Sequence, residues 1–117
     1  MNLLATPVQE PELKGQRYTV MGLARTGEAA ARFLANRGAH VTVTDRRFEK
    51  ELVSVLSRLP TSVSKALGGH PEKLFKETDG VVVSPGVSRE HPLLDGAKAA
   101  GVPVWSEIEL ALSLIHI

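Results

Sequence analysis

The sequence predicts an α/β protein: an open, doubly wound parallel sheet of five strands in the order 3-2-1-4-5, with helices on both faces. Three observations carry this reading. Strand-like and helix-like segments alternate along most of the chain, the pattern of successive βαβ units. The strand-like runs His40-Val41-Thr42-Val43-Thr44 and Gly80-Val81-Val82-Val83-Ser84 are β-branched or continuously apolar, as strands covered on both faces are. The first strand runs into Gly22-Leu23-Ala24-Arg25-Thr26-Gly27, a glycine-rich turn that opens a helix.

Taken in order, residues 1–14 read as an N-terminal arm, 15–112 as a single domain, and 113–117 as the end of a segment leading elsewhere. Strand one covers 17–21. A helix over 27–36 follows, with Ala30, Phe33 and Leu34 on one face and Gly38 as its left-handed stop. Strand two covers 40–44. A helix over 49–59 sets Leu52, Val55, Leu56 and Leu59 on one face and ends at Pro60. Strand three covers 62–67, and a short helix over 71–75 starts with proline at its first position. Strand four covers 80–84 and is broken by Pro85-Gly86. A helix over 93–100 stops at Gly101, and strand five covers 102–105. Ser106-Glu107-Ile108-Glu109 is an S-x-x-E capping box that starts a helix running towards residue 114. The apolar, uncapped end Ser113-Leu114-Ile115-His116-Ile117 reads as a cut through a longer chain, the alternative being a tail packed on the domain. A right-handed rule for parallel crossovers makes the 3-2-1-4-5 order the economical one.

Composition narrows the function classes. The chain has 117 residues, 43% apolar, enough for one core without staples. There is no cysteine, which removes disulfides and cysteine–zinc sites and fits a reducing compartment. The net charge is +1, so no bulk field points to nucleic acid or to a membrane surface. Met1-Asn2-Leu3-Leu4-Ala5-Thr6-Pro7 lacks the features of a signal peptide, and no apolar run approaches the ~20 residues that span a bilayer. A soluble cytoplasmic protein, monomeric and without nucleic-acid or membrane partners, is expected. His40, His70, His91 and His116 show no metal-ligand spacing. A Ser84, His91 and Asp79 triad has no nucleophile elbow to support it. Glu107 and Glu109 lie two apart on a helix and do not face one another. No G-x-x-x-x-G-K-[ST] loop occurs, so there is no Walker-type ATP site and no catalytic residue is assigned.

In such Rossmann-like sheets a ligand binds beyond the carboxyl ends of the strands, where the strand order reverses. With the expected order that point lies between strands one and four. The first turn is G-x-A-x-x-G, so Ala24 puts a methyl where the dinucleotide fingerprint has its second glycine. The amides of Arg25, Thr26 and Gly27 still point out of a helix N-terminus, and Thr26 adds a hydroxyl, which suits a diphosphate. Asp45 lies 23 residues after Gly22, where an acid can take a ribose hydroxyl or a base N–H. An arginine at Arg46 or Arg47 stacks on a base or pairs with phosphate, or the pair forms a solvated loop. Ser84-Pro85-Gly86 is either a ligand wall, with Gly86 allowing close approach, or a plain strand-to-helix turn.

Gly22-Leu23-Ala24-Arg25-Thr26-Gly27, Thr44-Asp45-Arg46-Arg47, Val83-Ser84-Pro85-Gly86-Val87, His91-Pro92-Leu93 and the segment from Gly101 to Leu110 occur in that order. The series resembles the N-terminal domain of the Mur ligase family, and within it the D-glutamate-adding branch. The resemblance covers about residues 15–112. It implies a cytoplasmic enzyme of peptidoglycan-precursor synthesis, an ATP- and Mg²⁺-dependent amide ligase. That enzyme activates the carboxylate of UDP-N-acetylmuramoyl-L-alanine as an acyl phosphate, which the amine of D-glutamate attacks. It also implies that this domain holds the UDP moiety. Arg25, Thr26 and Gly27 would take the diphosphate, Asp45 and Arg46 the uracil, with Arg47 near the uridine and Ser84 and Gly86 against the ligand. Arg25 stands where the family often has a small or apolar residue. The family's ATPase and C-terminal domains are not in this sequence, so D-glutamate, ATP and Mg²⁺ would be met elsewhere, and the chain alone would catalyse nothing. The alternatives are a stand-alone NAD- or nucleotide-sensing module and an interaction domain without a ligand.

Overall fold

The structure, a computed structural model, describes residues 13–85, 87, 91–107, 109 and 110. Its strands are β1 (Arg17–Met21), β2 (His40–Asp45), β3 (Ser64–Leu67), β4 (Gly80–Val83) and β5 (Val104–Ser106). They form one sheet in the spatial order β3-β2-β1-β4-β5, with every pair parallel. This is the expected 3-2-1-4-5 order. The register sets Val20 beside Val43 on one side and beside Val82 on the other.

Side chains alternate between two apolar layers because the strand period is two. Val20, Val41, Val43 and Val82 face a layer with Ala30, Ala31 and Leu34 of helix α1 (Arg25–Asn36). Met21, Val81 and Val83 face the other layer, with Phe75 of α3 (Lys73–Lys76) and Leu94 and Ala97 of α4 (Pro92–Ala99). α1 ends where expected: Gly38 has φ +91°, and its N–H donates to the Ala35 carbonyl at 3.1 Å.

The segment between β2 and β3 departs from the expected helix over 49–59. It forms a 3₁₀ turn (Glu49–Glu51) and then a single-turn helix α2 (Val53–Leu56). The apolar stripe still docks, with Leu52, Val55 and Leu59 buried. Three-residue hydrogen bonds replace the α ladder at both ends, Leu52 N–H to Glu49 and Arg58 N–H to Val55 among them. Ser57 Oγ also donates to the Ser54 carbonyl at 2.7 Å, a local bond of the kind that competes with a regular helix. At the other end of the chain the capping box forms as read: Glu109 N–H donates to Ser106 Oγ at 3.0 Å, and Ser106 N–H to Glu109 Oε1 at 2.8 Å. The arm and the end segment expected at 1–14 and 113–117 lie almost wholly outside the described residues, apart from Leu13 and Lys14.

Candidate functional site

Strand order reverses between β1 and β4, and a cleft of about 560 Å³ opens there at the carboxyl ends of the strands. The turn after β1 contributes Gly22, Leu23 and Ala24. The end of β2 contributes Asp45, Arg46 and Arg47, and the turn after β4 contributes Ser84 and Val87. His70 and His91 complete the wall.

The first turn is shaped by two glycines. Gly22 has φ +96°, a conformation L side chains rarely adopt, and its N–H donates to the Thr44 carbonyl at 2.8 Å. Gly27 sits in the first turn of α1, packed behind the cleft rather than lining it. A Cβ there would land on the Gly22 carbonyl oxygen and 2.6 Å from Ser84 Oγ. The helix starts without a side-chain cap on Ala24, and its first intrahelical bond is Glu28 N–H to the Ala24 carbonyl at 3.0 Å. The amides of Arg25, Thr26 and Gly27 therefore precede the ladder, as the first N–H groups of any α-helix do.

Asp45 is the organising charge. It is 4% exposed, and its carboxylate accepts four hydrogen bonds. Leu23 N–H reaches Oδ2 at 2.8 Å, and Arg47 supplies its backbone N–H to Oδ1, Nε to Oδ1 and Nη2 to Oδ2, each at 2.9 Å. Arg47 Nη2 also reaches the Leu23 carbonyl at 3.4 Å. Burial pushes the carboxyl pKa up. The Arg47 side chain, the N–H groups of Arg47 and Leu23 and the Arg47 charge outweigh it and bring the value down to about 2. A carboxylate has about four acceptor sites, so these bonds fill it. The Arg47 side chain that occupies most of these sites is itself 45% exposed.

The other expected site residues divide. Arg46 lines the cleft and is exposed. Ser84 is buried, and its Oγ donates to the Gly22 carbonyl at 2.7 Å, which locks the β4 turn to the β1 turn. Arg25 is exposed at the start of α1 and is not part of the cleft wall; Thr26 follows it in the helix. Gly86 lies outside the described residues. Asp79 and Ser84 flank opposite ends of β4, and Asp79 Oδ2 accepts Arg17 N–H at 2.8 Å, so no Ser84–His91–Asp79 triad forms.

Two cleft residues escaped the sequence reading. His70 Nδ1 lies 2.8 Å from Thr44 Oγ1, and His91 Nδ1 accepts Leu93 N–H at 3.1 Å as the side-chain cap of α4. Neither has a spacing signature. The hint for His91 was its place before Pro92 at a helix start, and for His70 the preceding Gly68-Gly69 turn that carries the chain back over the strand ends.

A family model described as "Mur ligase MurD-like, N-terminal domain" matches residues 16–106. The chain belongs to this family. It is 55% identical over 101 residues to the UDP-N-acetylmuramoylalanine--D-glutamate ligase of Anaeromyxobacter dehalogenans, covering 86% of this chain and 22% of that protein. It is 55% identical over 105 residues to the ligase of the same name from Trichlorobacter lovleyi, covering 89% of this chain and 24% of that one. The chain thus spans under a quarter of the length of these curated relatives. Among solved structures it is similar to a pseudomurein peptide ligase type C from Methanothermus fervidus, with TM-score 0.61 and 24% identity over 82% of this chain and 20% of that one. It is also similar to shikimate dehydrogenase from Aquifex aeolicus, with TM-score 0.58 and 18% identity over 87% of this chain and 46% of that one. At those identities the likenesses show the fold alone. The Mur-type domain has the Rossmann-like fold its sequence predicts. Its described residues include no group of three His, Cys, Asp or Glu able to hold a metal ion. Among the described residues no helix is long and apolar enough to cross a membrane.

Proposed function

We propose that this chain is the UDP-binding domain of a cytoplasmic ligase that adds D-glutamate to UDP-N-acetylmuramoyl-L-alanine, using ATP and Mg²⁺ held by other parts of the full-length enzyme. The observation that carries the reading is the convergence of Gly22, Leu23 and Ala24, the Asp45–Arg47 loop and the Ser84 turn on one cleft at the strand-order reversal. The family match supports the same reading independently.

In this reading the diphosphate sits over the amides of Arg25, Thr26 and Gly27, where the helix dipole favours an anion. The uracil lies against Asp45 and Arg46. Its N3–H takes an Asp45 oxygen as Arg47 swings off, and the freed guanidinium turns to the uridine. Ser84 acts by holding the Gly22 carbonyl, and Gly86 lies against the ligand. The role of the domain is to anchor and orient one substrate, a contribution that raises the effective concentration of its reacting carboxylate for chemistry elsewhere.

Backbone amide spectra of the chain with added UDP-N-acetylmuramoyl-L-alanine test this reading. Saturable shifts of Arg25, Thr26, Gly27, Arg46 and Arg47 are expected. Shifts confined to other surfaces, or none, contradict it.

A further inference from the structure

The two histidines in the cleft are unusually well fixed. Each imidazole is held through Nδ1, His91 by Leu93 N–H and His70 by Thr44 Oγ1. The His91 contact sets its neutral tautomer, because a nitrogen that accepts an N–H carries no proton; the proton sits on Nε2. The rings cross edge to face, with centroids 5.9 Å apart and planes at 88°. His70 also meets Phe75 edge to face at 6.3 Å, so its plane is set from a second side. In each ring Nε2 is the nitrogen that remains for something in the cleft.

The charges around His70 come from two elements. Asp45 and Arg46 face it from the end of β2, and His91 faces it from the start of α4, while α3 presents Phe75. Asp45 is matched by Arg47. The excess on that wall is positive, which suits an anion and not a cation.

We infer that His70 and His91 are ligand-contacting residues: their Nε2 atoms donate to phosphoryl oxygens of a nucleoside diphosphate held at the 22–27 turn, and His70 takes up a proton as that anion binds. The inference rests on the nucleotide-binding reading above and adds to it a second, titratable wall. Without the anion, burial, His91 and Arg46 hold His70 below the ordinary imidazole range, with Asp45 pulling the other way. A phosphoryl oxygen in hydrogen-bond contact favours the charged ring and reverses that balance. The proton comes from solvent, and no covalent bond changes.

UDP-N-acetylglucosamine is the suitable probe, because its diphosphate is a diester and does not itself titrate near neutrality. Calorimetric titrations in buffers of different ionisation enthalpy, at pH 6 to 8, read proton uptake directly. The wild-type chain is expected to take up a fraction of a proton and to bind about three- to tenfold more tightly at the lower pH, the scale of one charge-assisted bond. His70→Gln is expected to abolish the uptake and flatten the profile, and His91→Gln to weaken binding several-fold. Uridine binding should show neither effect. A measurement needing no variant follows the His70 ring resonances through a pH titration, which should move to higher pH when the probe is present. If the probe binds with no proton uptake and an unmoved His70 titration, the inference fails and the nucleotide site stands. If the wild-type chain binds no uridine diphosphate at any pH, both fail.

Discussion

The backbone N–H of Leu23 donates to Asp45 Oδ2 across 2.8 Å, so the glycine-rich turn after β1 is tied to the end of β2 by a buried carboxylate. The same carboxylate holds Arg47 through three N–H groups. One residue therefore sets the shape of the turn and the position of the cation beside it.

Asp45→Ala removes both ties at once. It should lower the stability of the domain by about 1–3 kcal/mol, the cost of leaving buried donors without partners. It should also weaken uridine-nucleotide binding by a similar amount. Arg47→Ala should reproduce part of the binding loss while keeping the Leu23 bond. Urea denaturation and nucleotide titration of the two variants check this; equal stability of Asp45→Ala and wild type contradicts it.

The Asp45 charge also predicts acid sensitivity. Its folded pKa, about 2, lies below the ordinary carboxylate range. Its stabilisation is therefore complete above that range and is lost as pH falls from about 4 towards 2. The expected size is about 1–2 kcal/mol, allowing for screening of the half-exposed guanidinium. Glu28, lowered by Arg58 and Arg32, works in the same direction. Partly buried His70 adds an earlier loss as pH falls through the ordinary imidazole range, because the unfolded chain takes the proton more readily. Acid titration followed by circular dichroism should show Asp45→Asn with a shallower decline below pH 4.

Gly27 tests the close approach behind the turn. An added methyl meets the Gly22 carbonyl and Ser84 Oγ, both held in place by their own hydrogen bond. Gly27→Ala should cost about 1–3 kcal/mol or more, as overpacking does, despite alanine's better helix propensity. A thermal melt at or above the wild-type value contradicts the account.

Ser84→Ala isolates the lock between the two turns. Losing the Oγ donor leaves the Gly22 carbonyl short of a partner, at an expected cost of about 1–2 kcal/mol. Because Ser84 acts through the turn, its loss should weaken UDP more than uridine. Equal weakening of both would place the hydroxyl on the nucleoside instead.

Much of this was legible in the sequence because parallel βαβ units leave local marks. The strands, the Gly38 stop, the capping box at Ser106 and the strand order each follow from a short run of residues. The location of the cleft follows from topology, and the glycine turn and Asp45 from their spacing. What spacing does not encode is whether a polar side chain faces a ligand or a neighbour. In the fold Asp45 binds its neighbour Arg47 locally, and long-range packing adds Leu23 to Asp45 and the Gly22 carbonyl to Ser84, partners that spacing does not show. His70 and His91 leave no local mark because they are 21 positions apart and their rings meet only once the fold has formed. The 49–59 segment departs from a regular helix because an apolar stripe at helical spacing needs only a few turns of any kind to dock.

The central claim is that the cleft selects a uridine diphosphate. Parallel calorimetric titrations of the chain with UDP, uridine and NADH test it most directly. Saturable binding of UDP, tighter than uridine, with NADH much weaker, is the predicted result. Tight binding of NADH with no response to UDP would contradict it.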